Sequence, residues 1–299
     1  MSKNIFITGA SGFLGRHLLQ RIKDDEQFKV FALSSHPDQM EEKLGYENIT
    51  YLYKDTIFGD TLGPLLKDAL VINCAYPRNS TGTEIADGLK YIQRVFESAV
   101  KREARAIINI SSQSVYSQQR ADAATEETPV SLESPYAVGK YAVELMLESI
   151  CKESGTCYTS LRMASLIGPG FDQRIVNRFV RQAIAKGYLD VDMNNQKFGF
   201  LDVDDAVLGI YKILYSNEHN WKHIYNLGRI ESYTVYEIAN SIKEVLLNKG
   251  VIETKLNIHE NEKTGNSSLR ADLFMREFTF QPGISLEESI VRIVDDIIH

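Results

Sequence analysis

The sequence predicts an α/β protein: a doubly wound parallel sheet followed by a smaller, mostly helical C-terminal lobe. Three observations carry that reading. A short apolar run, Ile5-Phe6-Ile7-Thr8, passes through a glycine-rich turn into a helical pattern by Leu19. Apolar runs and helical patterns then alternate as far as Met163, the order of parts that builds a sheet covered on both faces. Beyond Gly168-Pro169-Gly170 the alternation breaks down.

The turn is Gly9-Ala10-Ser11-Gly12-Phe13-Leu14-Gly15. Gly9 is free to take a positive φ, so the chain can leave a strand abruptly. Gly12 lets the backbone approach a bulky anion, and Gly15 lets the new helix pack on the strand. The helix that follows starts with unpaired N–H groups and a partial positive charge, which a pyrophosphate satisfies. The spacing Gly-x-x-Gly-x-x-Gly therefore reads as a dinucleotide-binding turn.

Further strands are expected at Phe28–Leu33, Ile49–Tyr53, Leu70–Ala75, Ala106–Ile110 and Thr156–Met163. Ile85, Leu89, Ile92, Phe96 and Ala99 recur at helical spacing, which predicts an amphipathic helix over Thr83–Arg102. A second long helix is expected from Ser134 to Glu153. Later helical patterns cover Arg174–Lys186, Asp204–Ser216, Val235–Leu247 and Leu286–Ile298, separated by short strand-like pieces. The expected division is a dinucleotide-binding domain over 1–168 and a substrate-binding lobe over 169–299, the chain crossing back near 200–230.

With 299 residues, 43% hydrophobic and 24% charged, the composition is that of an ordinary globular protein. The net charge of −7 argues against nucleic acid or an anionic membrane surface as a partner. No run reaches the ~18 apolar residues of a membrane span. No apolar leader precedes the first strand, and Cys74, Cys151 and Cys157 show no metal-type or paired spacing. Reduced thiols and a cytoplasmic location are the expectation. The six histidines are scattered, so no metal is expected.

Tyr136-Ala137-Val138-Gly139-Lys140 carries the chemistry. A tyrosine and a lysine at i and i+4 share a helix face. A nearby ammonium and an oxidised nicotinamide favour the ionised phenol, so the tyrosine can pass a proton to or from a sugar or carbonyl oxygen. Ser112 follows the Ala106–Ile110 strand, where strand ends line the ligand crevice of such sheets. Its hydroxyl can hold the reacting oxygen. The acids Asp202, Asp204 and Asp205 read as a helix cap with first-turn acids rather than a metal cluster.

The chain resembles the extended short-chain dehydrogenases/reductases of the NAD-dependent epimerase/dehydratase family, of the UDP-galactose 4-epimerase type. The likeness rests on Thr8 to Gly15, Ser111-Ser112-x-x-Val115-Tyr116, Glu126 to Pro129, Ser134 to Lys140, Leu161-Arg162, Gly168 to Gly170, Phe200 to Ala206 and Tyr225 to Gly228. It implies a Rossmann domain, a homodimer built on the two long helices, and a nucleotide sugar as substrate. Ser112, Tyr136 and Lys140 would be the catalytic set. The cofactor would meet Gly9, Ser11, Gly12, Phe13, Leu14 and Gly15; Ser34 and Ser35; Asp55 and Thr56; Cys74, Ala75 and Tyr76; and Tyr136, Lys140 and Met163. Substrate contacts would fall to Tyr76, Arg78, Ser112, Ser165, Arg174, Asn177, Arg178, Lys197 and Arg270.

Departures narrow the reaction. Leu33-Ser34-Ser35-His36 lacks the acid that holds the ribose hydroxyls of NAD, so of the NAD(P) pair the residues lean toward NADP. Gln113-Ser114 stands where the family's dehydratases carry an Asp-Glu pair, and the cysteine of its epimerase/reductases is absent nearby. Epimerisation, or reduction of a keto-sugar, remains. Ser165 replaces an asparagine and Lys197-Phe198-Gly199 an arginine of relatives, which keeps open a reductase of a non-nucleotide carbonyl. A dinucleotide-binding sensor without turnover is the third reading.

Overall fold

The computed structural model describes residues 2–77, 81–171 and 173–299. In chain order its elements begin with β1 (Lys3–Thr8), α1 (Phe13–Ile22), β2 (Phe28–Ser34), α2 (Pro37–Leu44), β3 (Ile49–Tyr53) and α3 (Gly63–Leu66). There follow β4 (Leu70–Asn73), α4 (Gly82–Lys101), β5 (Ala106–Ser112), α5 (Pro135–Ser154) and β6 (Cys157–Met163). Then come β7 (Ser165–Ile167), α6 (Ile175–Lys186), β8 (Tyr188–Lys197), β9 (Phe200–Asp202) and α7 (Val203–Leu214). The chain ends with β10 (Ile224–Leu227), α8 (Val235–Asn248), β11 (Lys255–Asn266), α9 (Asp272–Glu277) and α10 (Leu286–Ile298).

The central sheet has seven strands in the order β10-β6-β5-β4-β1-β2-β3. β1 pairs in parallel with β2 on one side and β4 on the other. The strand order reverses at β1, and a ligand crevice opens outside the carboxyl ends of strands at such a point. Ile5, Phe6 and Ile7 are fully buried, and the Phe6 and Phe31 rings stack at 4.6 Å. Strands hidden on both faces need near-continuous apolar runs, which is why they were readable.

Polar groups nevertheless cross this apolar sheet in one line. Thr8 Oγ1 donates to Asn73 Oδ1 at 2.7 Å, Asn73 Nδ2 to Asn109 Oδ1 at 3.0 Å, and Asn109 Nδ2 to Ser160 Oγ at 3.1 Å. The four residues stand on β1, β4, β5 and β6, neighbours in the sheet, and all are buried. Each donor finds its acceptor, so none is left dry and unpaired.

By their contacts the residues fall into two compact units: Met1–Val115, Leu132–Arg162 and Ile210–Tyr225 in one, and Tyr116–Ser131, Met163–Gly209 and Asn226–His299 in the other. The second unit is held by an apolar cluster that includes Val176, Val180, Ile238, Ile242, Ile290 and Ile293, from α6, α8 and α10. Two of its strands are longer than the short pieces expected, while β7 and β9 have three residues each. β8 and β11 have 10 and 12 residues and run parallel, with an irregularity between Glu260 and Thr264. Most of their residues are at least partly exposed, so polar side chains mask the strand period. Asp202 Oδ1 accepts the Asp204 N–H at 2.9 Å, and Asp202 also accepts from Ser289 and Arg292. Asp205 accepts the Gly283 and Ile284 N–H groups, both at 2.9 Å. The acidic cluster is thus committed to capping and to anchoring neighbouring chain. No helix among the described residues is long and apolar enough to cross a membrane.

Replacing Asn73 by Leu leaves the Thr8 hydroxyl and the Asn109 carbonyl buried without partners. We expect urea unfolding to show a loss of about 2–4 kcal/mol. A change below ~0.5 kcal/mol would show that the polar line adds nothing to stability.

Candidate functional site

The glycine turn leaves β1 as expected. Gly9 has φ +64°, and a Cβ there would sit 2.6 Å from the Ala75 nitrogen. The turn after β1 and the segment after β4 are therefore pressed together, backbone on backbone. Gly12 is the N-cap of α1, with extended φ and ψ and no side-chain cap, so the helix start is open to an anion. A Cβ on Gly15 would lie 2.5 Å from the Gly9 carbonyl oxygen, which explains that glycine as packing.

A cleft of about 490 Å³ opens beside this turn. Gly9, Ser11 and Gly12 line it, with Ser34 and Ser35 from the end of β2 and Cys74, Ala75 and Tyr76 from the end of β4. Eight of the residues expected to meet a cofactor are thereby brought together. The open helix start, the glycine cradle and the size of the cleft fit a dinucleotide. Phe13 instead packs its ring on His17, and Leu14 and Gly15 are buried in α1. Asp55 and Thr56 lie in the single 3₁₀ turn after β3, where Lys54 lines the cleft in their place. Tyr91 of α4 also lines it and donates its hydroxyl to the Lys54 carbonyl at 3.2 Å. Tyr91 escaped the sequence reading because the pattern of α4 marks only its packing face, and Lys54, directly after β3, was passed over for Asp55 and Thr56.

Burial holds the Cys74 thiol up at about 12, against the pull of the Lys140 charge. Tyr76 is also pushed up to about 12, by burial first and then by Tyr136 beside it. At neutral pH both keep their protons.

α5 presents the other half of the site. Ser134 caps it, its hydroxyl accepting the Ala137 N–H at 3.2 Å, and Pro135 opens the first turn. That start puts Tyr136 and Lys140 one turn apart on the same face. Lys140 is only 6% exposed, and its ammonium donates to the Ile110 carbonyl at 2.7 Å. The same Nζ lies 4.4 Å from the centre of the Tyr76 ring and 5.9 Å from that of Tyr136. The two rings meet edge to face at 5.1 Å, and the Tyr76 hydroxyl donates to the Tyr136 carbonyl at 3.3 Å. Gly139 makes room for this contact: a Cβ there would fall 2.1 Å from the Tyr76 oxygen. Ser112 ends β5 two residues past Ile110, and its Oγ accepts from Ser114 Oγ at 2.9 Å.

Beneath this set is a buried ion pair. Arg162 of β6 grips Glu144 of α5, with Nη2 at 2.7 Å and Nε at 3.0 Å. Glu144 also accepts from Ser111, the neighbour of Ser112. Glu144 is four residues past Lys140, so helical spacing alone could have singled it out.

The remaining expected substrate residues lie in the second unit, as does Met163. Ser165 opens β7. Asn177 is buried and donates to the Gly168 carbonyl at 2.9 Å. Arg174 stands at the start of α6 with its guanidinium 5.9 Å from the Phe171 ring, and Arg178 is exposed one turn on. Lys197 is exposed at the end of β8, and Arg270 pairs with Asp272 at 2.7 Å. Arg78 lies outside the described residues.

Arg162→Leu leaves the Glu144 carboxylate buried without its counter-charge. We expect it to destabilise the protein by about 3–5 kcal/mol in chemical unfolding, and Glu144→Leu added to it to recover most of that loss. Equal losses in the single and double variants would show that the pairing is not what matters there.

Comparison with known proteins agrees with this fold. The chain is 21% identical to the UDP-glucuronic acid 4-epimerase of Bacillus cereus, solved with UDP-glucuronic acid and NAD; the match covers 99% of each chain at a TM-score of 0.83. At that identity the likeness is one of fold. In sequence, an uncharacterized UDP-glucose epimerase of Bacillus subtilis is 24% identical over 81% of this chain and 81% of its own. UDP-glucuronic acid decarboxylase 6 of Arabidopsis thaliana is 23% identical over 98% of this chain and 88% of its own. The NAD dependent epimerase/dehydratase family model matches residues 5–228, from β1 through the strand that ends the central sheet, and the chain belongs to that family.

Proposed function

We propose that the chain is an NAD(P)-dependent enzyme acting on a nucleotide-linked sugar, by epimerisation or by reduction of a keto-sugar. The observation that carries this is the Lys140 ammonium, held by the Ile110 carbonyl, 5.9 Å from the Tyr136 ring and 4.4 Å from the ring of Tyr76, which lines the glycine-lined cleft. The relatives named above that act on UDP-sugars support the substrate class. Ser34 and Ser35, with no acid at the end of β2, favour NADP over NAD.

When bound, the nicotinamide ring supplies a place for one hydride to go and to return from. The chain's own groups handle the proton. Tyr136 takes it from the sugar hydroxyl as the carbon bearing that hydroxyl gives up hydride, leaving a carbonyl. Return of hydride to the other face, with the proton handed back by Tyr136, gives the epimer; a keto-sugar and a reduced cofactor give net reduction. Ser112 holds the reacting oxygen, and Lys140 sets a fixed positive charge beside the phenol. Gln113 and Ser114 offer no carboxylate for removing water, which argues against a dehydratase.

Two copies would join through α4 and α5, which pack side by side. Val138 and Leu145 are about half exposed on α5, at 50% and 48%, and a second copy would cover them.

Assayed against a panel of UDP- and dTDP-sugars, Tyr136→Phe and Ser112→Ala should each lose ~10²-fold or more in turnover while dinucleotide binding stays close to wild type. Undiminished turnover in Tyr136→Phe would overturn the assignment. Leu145→Glu should shift the protein from dimer to monomer in light scattering; an unchanged mass would place the interface elsewhere.

A further inference from the structure

A second cavity, of about 450 Å³, opens between α1 and α2. Ser11 lines both it and the dinucleotide cleft, so the two adjoin at the glycine turn. Their charges differ. The cleft carries Glu84 and Asp87 against the single cation Lys54. The second cavity is lined by Arg16 and His17 of α1, His36 directly after Ser35, and Lys43 of α2, with no acid among its lining residues. Among the described residues neither Arg16 nor Lys43 enters an ion pair. Uncompensated cations gathered on one small cavity of a chain with net charge −7 call for an anion.

Position defines which anion. In sheets of this kind the residues ending the second strand meet the adenosine ribose of the cofactor. Those residues here are Ser34 and Ser35, and the cationic cavity begins at the next one, His36. A group projecting from the 2′ position of that ribose has this cavity beside it. A phosphate monoester there is close to a dianion, and a guanidinium binds it through two parallel hydrogen bonds.

We propose that Arg16, His36 and Lys43 form the site for the 2′-phosphate of NADP(H), with Arg16 as its principal contact. The proposal rests on the reading that the cleft takes a pyridine dinucleotide. It also supplies what the stretch after β2 lacks. The usual discriminating residue is sought in that stretch, whereas here the arginine comes from α1 and the lysine from the far end of α2, brought there by folding.

The test is a titration of the purified protein with NADPH and with NADH, followed by nicotinamide fluorescence. We expect NADPH to bind at least tenfold more tightly than NADH. Arg16→Ala and Lys43→Ala should each weaken NADPH by about tenfold while leaving NADH within twofold, so that NADH binding itself reports an intact fold. Arg16→Lys should keep part of the preference. Equal affinity for the two dinucleotides, or an Arg16→Ala loss shared equally by both, would overturn the proposal and leave the cleft reading standing. Failure of the wild type to bind either dinucleotide would overturn the cleft reading and this proposal with it.

Discussion

The line of hydrogen bonds from Thr8 through Asn73 and Asn109 to Ser160 sets the positions of everything else in the site. Each of its first three residues stands next to a piece of chemistry. Thr8 precedes Gly9, Asn73 precedes Cys74, and Asn109 precedes Ile110, whose carbonyl holds Lys140. A strand slip of one residue would break three bonds in a medium where no water can replace them. The sheet is therefore pinned at the carboxyl ends of β1 and β4, beside the ligand crevice, and at the middle of β5 and β6. Apolar packing alone would not fix that register, because one aliphatic side chain can stand in for another at small cost.

α5 shows how much a single helix can carry when its start is well defined. Ser134 and Pro135 fix the first turn. From there the 3.6-residue period places Tyr136 and Lys140 on one face, with Gly139 clearing space for Tyr76 and Glu144 reaching down to Arg162 and Ser111. Burying Lys140 among apolar groups costs free energy, which the Ile110 carbonyl and the faces of two tyrosine rings offset in part. The separation of charges is orderly: Arg162 occupies Glu144, and the ammonium of Lys140 is left facing the phenols.

The sheet and the long helices were legible in the sequence because buried strands and amphipathic helices leave strong periodic marks. Phe28–Leu33 against the observed Phe28–Ser34, and Thr83–Arg102 against Gly82–Lys101, differ only at element ends. The glycine turn was legible because Gly9 must take a left-handed conformation against the backbone of Ala75. Lys54, Tyr91 and Arg16 were not: Arg16 follows Gly15 and Lys54 follows β3, but neither position by itself marks a side chain that lines a pocket, and the pattern of α4 marks only its packing face. The long pair β8–β11 was obscured for a different reason: Leu189 and Val191 alternate with acids only at the start of β8, and most of the other residues of both strands are polar and at least partly exposed. The crossing of residues 116–131 into the second unit likewise has no local mark, being fixed by contacts such as the Tyr116 hydroxyl donating to Asn226.

Cys74 has a consequence of its own. It lines the dinucleotide cleft, yet its thiol holds its proton up to about 12. Peroxides and alkylating reagents attack the thiolate, and almost none exists there under physiological conditions. A thiol that keeps its proton is a poorer target for both, and Cys74 does so while only partly covered at the edge of the cleft.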